Sequence, residues 1–168
     1  IKIIAMSSRS TILAAIRKNK PTSTSLPEIP AFQLHESPID LFKERSEGSK
    51  TKVVELDSST TIKEKTVELF PDAPRIASTI SSLTSTVDLA AVASPRDLDG
   101  VDVTIIEGEF AVAENGAVWV TESQMVHRVL PFITQHLILV VEKSKVFTNM
   151  HQAYQAINLS DIGFGVFI

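Results

Sequence analysis

Val103-Thr-Ile-Ile-Glu-Gly-Glu-Phe-Ala-Val-Ala-Glu-Asn-Gly-Ala-Val-Trp-Val-Thr121 is the stretch whose reading decides the fold. Within it, Phe110–Glu114 and Ala117–Thr121 flank Asn115-Gly116. A two-residue Asn-Gly between apolar runs is the strongest short-range hairpin signal, because both central residues of a type I′ turn need φ > 0. Pairing across such a turn sets Glu114 opposite Ala117, Val112 opposite Trp119 and Phe110 opposite Thr121. The other face then carries Ala111, Ala113, Val118 and Val120. Both faces are largely apolar, so the hairpin is expected inside a covered sheet, with the alanines letting a helix approach closely.

Working outward, Val101–Ile106 reads as a strand, and Leu137–Val141 is a continuous apolar run, the pattern of a strand covered on both faces. Asn149–Ile157 is expected to be a closing helix and Gly163–Ile168 a further strand. Upstream, Thr11–Lys18 after Ser10 reads as a helix with Ile12, Leu13 and Ile16 on one side and basic residues in its last turn. Pro21–Pro30 reads as an extended connector. Pro38–Arg45 reads as a short helix ending near Gly48, and Lys52–Leu56 as a strand. Thr61-Ile-Lys-Glu64 has the capping-box pattern and opens a helix with Ile62, Thr66, Leu69 and Phe70 inward. Pro71 and Pro74 stop it before a short strand at Arg75–Ser78.

Strand, helix and strand in this order make a right-handed parallel crossover. The expected architecture is α/β: a mixed sheet with parallel crossovers and one antiparallel hairpin, helices on both faces, in a single domain over residues 1–168. Ile1–Ala5 reads as upstream of a natural start at Met6, and the apolar ending at Ile168 as a chain that continues.

Composition excludes several functions. The 168 residues contain no cysteine, so the chain cannot hold a thiolate-ligated zinc or iron–sulfur cluster, form a disulfide or use a catalytic thiol. A formal charge of −4, with no basic stripe interleaved with aromatics, gives no footprint for nucleic acid. No apolar run approaches the ~20 residues of a membrane-spanning helix, and the opening is too short for a secretory core, so a cytoplasmic location is expected.

Val103–Ala117, followed by Arg128, Leu130-Pro131, His136 and Leu137–Val141, resembles the LUD-domain family, in its lactate-utilisation protein C branch. The helix with Ser10, Ile12, Leu13 and Arg17 is similar to that branch's start. Two departures stand out. The family commonly reads Glu-Thr-Gly-Thr where this chain has Glu114-Asn-Gly-Ala117, and its Gly-Pro-Ser-x-Thr-x-Asp-Ile-Glu segment, expected just after Ile168, is not in the sequence. The resemblance implies a fold similar to the ribose-5-phosphate isomerase and CoA-transferase superfamily. It also implies a part in oxidising lactate to pyruvate, with iron–sulfur clusters in partner subunits and no cofactor in this chain.

Among single residues, Glu114 is the sharpest candidate. Glu114-Asn115-Gly116 resembles the CoA-transferase site, where the Glu is the acyl-accepting nucleophile, and it makes Asn115 and Gly116 substrate-binding candidates. That chemistry also needs oxyanion donors and a glycine-rich loop, and six dispersed glycines do not show one. The competing reading is a turn with a solvated acid beside it. Arg128 could grip a substrate carboxylate in a bidentate fork, and His136 could act as acid or base on a 2-hydroxyl. Against that, Arg128 could pair with a surface acid, and His136 could cap the strand entrance.

His35, His127, His136 and His151 show no metal-ligand spacing, so no metal site is expected. Glu107 and Glu109 read as solvated acids, Trp119 as core, and Ser78–Thr86 as a mobile polar loop or a glycine-poor phosphate pocket. Three readings of function stay open: a subunit of a lactate-oxidising system, a free-standing CoA-transferase-like or sugar-phosphate-isomerase-like enzyme using Glu114, and a sensor of a small organic acid.

Overall fold

The computed structural model describes residues 8–28, 37–57, 60–83, 85–158 and 163–168. The expected start at Met6 and the residues before it lie outside them. The chain divides into two compact units, Ile1–Gln33 and Leu34–Ile168. The first holds α1 (Ser8–Lys18), with Arg17 and Lys18 in its last turn and Ile12, Leu13 and Ile16 exposed.

The second unit carries everything else. α2 (Pro38–Gly48) begins on a proline and ends at Gly48, as expected. α3 (Ile62–Leu69) forms at the expected capping box: Thr61 Oγ1 accepts from Glu64 N at 3.2 Å while Thr61 N donates to Glu64 Oε2 at 2.9 Å. Two of the orphan amides at its start are thereby satisfied. Its inward stripe is the expected one, with Thr66 buried and Ile62, Leu69 and Phe70 half-buried.

The strands fall into two sheets. β1 (Ile76–Ser78), β2 (Val103–Glu107) and β5 (His136–Val140) form a parallel sheet in the order β1-β2-β5. β3 (Phe110–Val112), β4 (Ala117–Thr121), β6 (Val146–Phe147) and β7 (Gly165–Phe167) form a mixed sheet in the order β6-β3-β4-β7. Short helices α4 (Glu122–Met125) and α5 (Leu130–Ile133) lie between β4 and β5, and α6 (Met150–Ala156) between β6 and β7.

The hairpin exists, but its register differs from the expected one. Phe110 faces Trp119, Ala111 faces Val118 and Val112 faces Ala117. The loop is therefore four residues, closed by Gly116 N donating to Val112 O at 3.0 Å. Only Gly116 has positive φ (72°), whereas a type I′ turn needs Asn115 there as well. Because the shift is two residues, the face assignment survives. Phe110, Val112 and Trp119 pack with Ala153 and Phe167, and Ala111, Val118 and Val120 pack with Ile106 and Met125.

Two further expectations are corrected. Residues 51–57 are irregular chain outside both sheets, not a strand. β5 is an edge strand, half-buried along Leu137–Val140, instead of covered on both faces; the fully covered strand is β2, whose Val103–Ile106 are buried. The Ser/Thr tract is tied to the backbone. Thr86 Oγ1 accepts from Ile76 N at 2.8 Å and lies 3.0 Å from Pro74 O, while Ser85 Oγ donates to Val87 O at 2.6 Å.

Residues 51–57 are held by charge where ladder bonds are missing. Glu55 pairs with Lys43 of α2 and with Lys143 beyond β5. Hydrogen bonds from Lys143 and then Lys43 hold its carboxyl at about 2, below its ordinary 4.5. The folded value is the depressed one, so this contribution is complete above pH ~4.5 and is lost as pH falls through about 2. Urea midpoints of the parent and Glu55→Gln are therefore expected to differ at pH 6 and to converge as pH approaches 2.

Candidate functional site

In open α/β sheets, ligands bind outside the carboxyl ends of the parallel strands. Here β2 ends on exposed Glu107, and the chain passes through Gly108 directly into the second sheet. Gly108 N donates to Val140 O at 2.9 Å and Glu109 N donates to Trp119 O at 2.9 Å, so one residue joins the two sheets. A side chain at Gly108 has no room, since its Cβ would lie 2.3 Å from Val118 Cγ1 and 3.0 Å from Val141 Cγ2.

Antiparallel pairing brings the end of β4 back to this edge. The hydroxyl of buried Thr121 lies 3.4 Å from Glu109 Oε1, 2.9 Å from Ser123 Oγ and 3.2 Å from Gln124 Oε1. Thr121 N donates to Gln124 Oε1 at 2.9 Å, opening α4. Lys145 joins from the turn after β5. Its ammonium is raised above its ordinary value mainly by the 2.9 Å bond to Glu142, with smaller contributions from Glu107 and Glu109.

Glu122, the residue after Thr121, forms a bidentate charged pair. Arg128 Nε donates to Glu122 Oε1 at 2.7 Å and Nη2 to Glu122 Oε2 at 3.0 Å, a fork-on-fork pair. The Arg128 hydrogen bond lowers the Glu122 carboxyl from its ordinary value, and the same bond raises the guanidinium. The guanidinium carbon sits 5.4 Å from the Phe164 ring centroid. Glu122 N donates to Phe164 O at 2.8 Å, which ties the start of α4 to the residue just before β7.

The sequence candidates separate. Glu114 lies in the hairpin loop, at the opposite end of β3 from Glu109, and its Oε2 accepts from Met150 N at 2.9 Å, the first amide of α6. Asn115 makes a local turn, its Oδ1 accepting from Ala117 N at 3.1 Å, and its Nδ2 lies 3.4 Å from Met150 Sδ. Gly116 abuts the end of α2, where an added Cβ would meet Ser46 N and Oγ at 3.0 Å. His136 opens β5 opposite Val103, at the amino ends of the parallel strands, ~13 Å of strand away from Glu107 and Val140. Its ring is exposed and lies 4.6 Å from the Phe70 ring. His127 is engaged through Nε2 with Leu89 O at 2.9 Å.

Of these candidates, Arg128 alone lies by the carboxyl-terminal edge, and its partner Glu122 was not among them. A signal for Glu122 was present, since Thr121-Glu-Ser-Gln124 is itself a capping-box pattern that marks a helix start beside the strand end. A shallow cleft between residues 54–57, Lys65 and Lys143 is also open. Its lysines are engaged, Lys143 with Glu55 and Lys65 with Glu68 at 2.6 Å. Among the described residues, no three His, Asp or Glu side chains gather in a metal-ligand arrangement.

Fold and edge define an α/β protein whose central parallel strand runs on into a hairpin sheet. Residues 85–163 match the family model described as the LUD domain. That span runs from the end of the Ser/Thr tract through the hairpin, the Glu122–Arg128 pair and α6. The chain is also similar to a solved structure described as a DUF162 family protein from Deinococcus radiodurans. The TM-score is 0.67 at 13% identity, covering 78% of this chain and 85% of that one, a likeness of fold. No curated protein matches.

Proposed function

We propose that this chain is a LUD-domain component of a cytoplasmic lactate-utilisation system, acting with partner subunits that carry iron–sulfur clusters. The observation that carries the reading is the match of residues 85–163 to the LUD domain, a span that includes the polar edge beyond β2. Composition agrees with that division of labour. Oxidation of lactate to pyruvate releases two electrons, and a chain with no cysteine has no thiolate to anchor a cluster that would take them. The chain's contribution in this reading is to bind and orient the small acid or to dock the subunits that oxidise it.

Deleting the coding sequence in its native host should abolish growth on L-lactate, and the restored chain should co-purify with cluster-bearing proteins. Lactate oxidation at the parental rate after deletion would overturn the reading. The rival, acyl transfer through Glu114, is separated by Glu114→Gln. Glutamine keeps an acceptor for Met150 N, so the fold is retained, while a nucleophile would be lost. Turnover of an acyl-CoA by the parent and none by this variant would favour the rival.

A further inference from the structure

We propose that the Arg128 fork is a binding site for the carboxylate of a small hydroxy or oxo acid, and that Glu122 occupies it in the resting chain as an internal stand-in. The geometry of a ligand carboxylate is already present: two oxygens on Nε and Nη2 at 2.7 and 3.0 Å. A planar fork suits an anion that presents two oxygens side by side. Phe164 forms an aromatic floor 5.4 Å beneath the guanidinium. Gly163 packs directly against the pair: a Cβ there would sit 2.6 Å from Glu122 Oε2 and 3.7 Å from Arg128 Nη2, so only glycine fits beside the Glu122 carboxylate.

The pair is also built to open. Its side chains are 59% and 39% exposed, so solvent reaches both, and an ion pair in water holds weakly. Between the partners the backbone is strained. Val126, a β-branched residue, sits at φ 61° and ψ −52°, with His127 N donating to Met125 O at 2.6 Å in a tight three-residue turn. Such strain persists where surrounding contacts hold it, and the Glu122–Arg128 pair closes this loop from both sides. Exchange of Glu122 for a free acid leaves the guanidinium paired and lets residues 122–128 relax. The tethered Glu122 competes at a high effective concentration, so affinity of the parent chain for the free acid is low.

That the acid is a 2-hydroxy or 2-oxo acid rests on the lactate-utilisation reading; that the fork takes a carboxylate does not. The test is titration of the full chain and its Glu122→Gln, Glu122→Ala and Arg128→Lys variants with L-lactate, pyruvate, acetate and inorganic phosphate. Binding is followed by calorimetry and by the Arg Nε–H resonances. Glu122→Gln is expected to bind lactate or pyruvate roughly two- to fivefold more tightly than the parent, and Arg128→Lys introduced into that variant to erase the gain. Equal affinity in the parent and both Glu122 variants overturns the proposal, as does a gain that survives Arg128→Lys. Phosphate gaining as much as the acids overturns the carboxylate assignment. A gain for acetate alone keeps the fork and strikes the hydroxy-acid reading, an outcome separate from the deletion experiment.

Discussion

Trp119→Ala is expected to destabilise the chain by about 3–5 kcal/mol, the range for truncating a buried aromatic. The indole is 6% exposed and packs with Phe110, Val112 and Ala153, with the Phe167 ring 4.6 Å away. It also fills the space over Gly165, where a Cβ would lie 2.4 Å from the ring, so β7 is laid directly on it. Truncation opens a cavity at the junction of β4, β7 and α6, which backbone relaxation fills only in part. Trp119 Nε1 is buried with no hydrogen-bond partner, a standing cost that phenylalanine removes. Trp119→Phe should therefore lose clearly less than Trp119→Ala. This is the sole tryptophan, so urea unfolding must be followed by circular dichroism. Equal losses in the two variants would show that the orphan N–H and the remaining ring volume count for nothing here.

Gly108→Ala has the second largest expected effect, about 1–3 kcal/mol, and for the opposite reason. The new methyl would meet Val118 Cγ1 at 2.3 Å and Val141 Cγ2 at 3.0 Å, and neither side chain is long enough to swing aside. Relief must come from parting the two sheets where Gly108 N bonds Val140 O, which is also where Glu107 and Glu109 are set. Removing the obstructing methyls offers a check. Gly108→Ala combined with Val118→Ala should be less destabilised than the sum of the single changes, with a coupling of about 0.5–3 kcal/mol. Strict additivity would mean that the close approach is not what restricts position 108.

The hairpin shows how far local reading reaches. Alternation along Phe110–Val112 and Ala117–Thr121 assigned every side chain to the correct face, because a two-residue slip leaves a period of two unchanged. The register itself was not legible. Asn115-Gly116 fits a two-residue turn or a four-residue loop, and the choice follows from Gly116 packing on Ser46 and Glu114 reaching Met150 N, both partners far away in sequence. Lys52–Leu56 has strand composition, but a strand exists only where a neighbour offers a ladder, and here the segment is held by Glu55 to two lysines instead. β6 is two residues long, too short to carry any periodicity.

The site divides along the same line. Arg128 could be singled out from the sequence, but its partner could not be assigned, since six residues separate it from Glu122 and no regular element sets that spacing. Glu114 and His136 looked equally well placed and fall at other ends of their strands. By itself the sequence determined the α/β class, the capping box at Thr61, the two faces of the hairpin and the exclusion of thiolate chemistry, because each depends on neighbours within a few positions or on composition alone. Only the tertiary structure decided that the strands split into two sheets at Gly108 and that Glu122 fills the Arg128 fork. Both depend on which distant surfaces meet, and the energies that choose between such meetings are shared among many residues instead of being written in any one stretch.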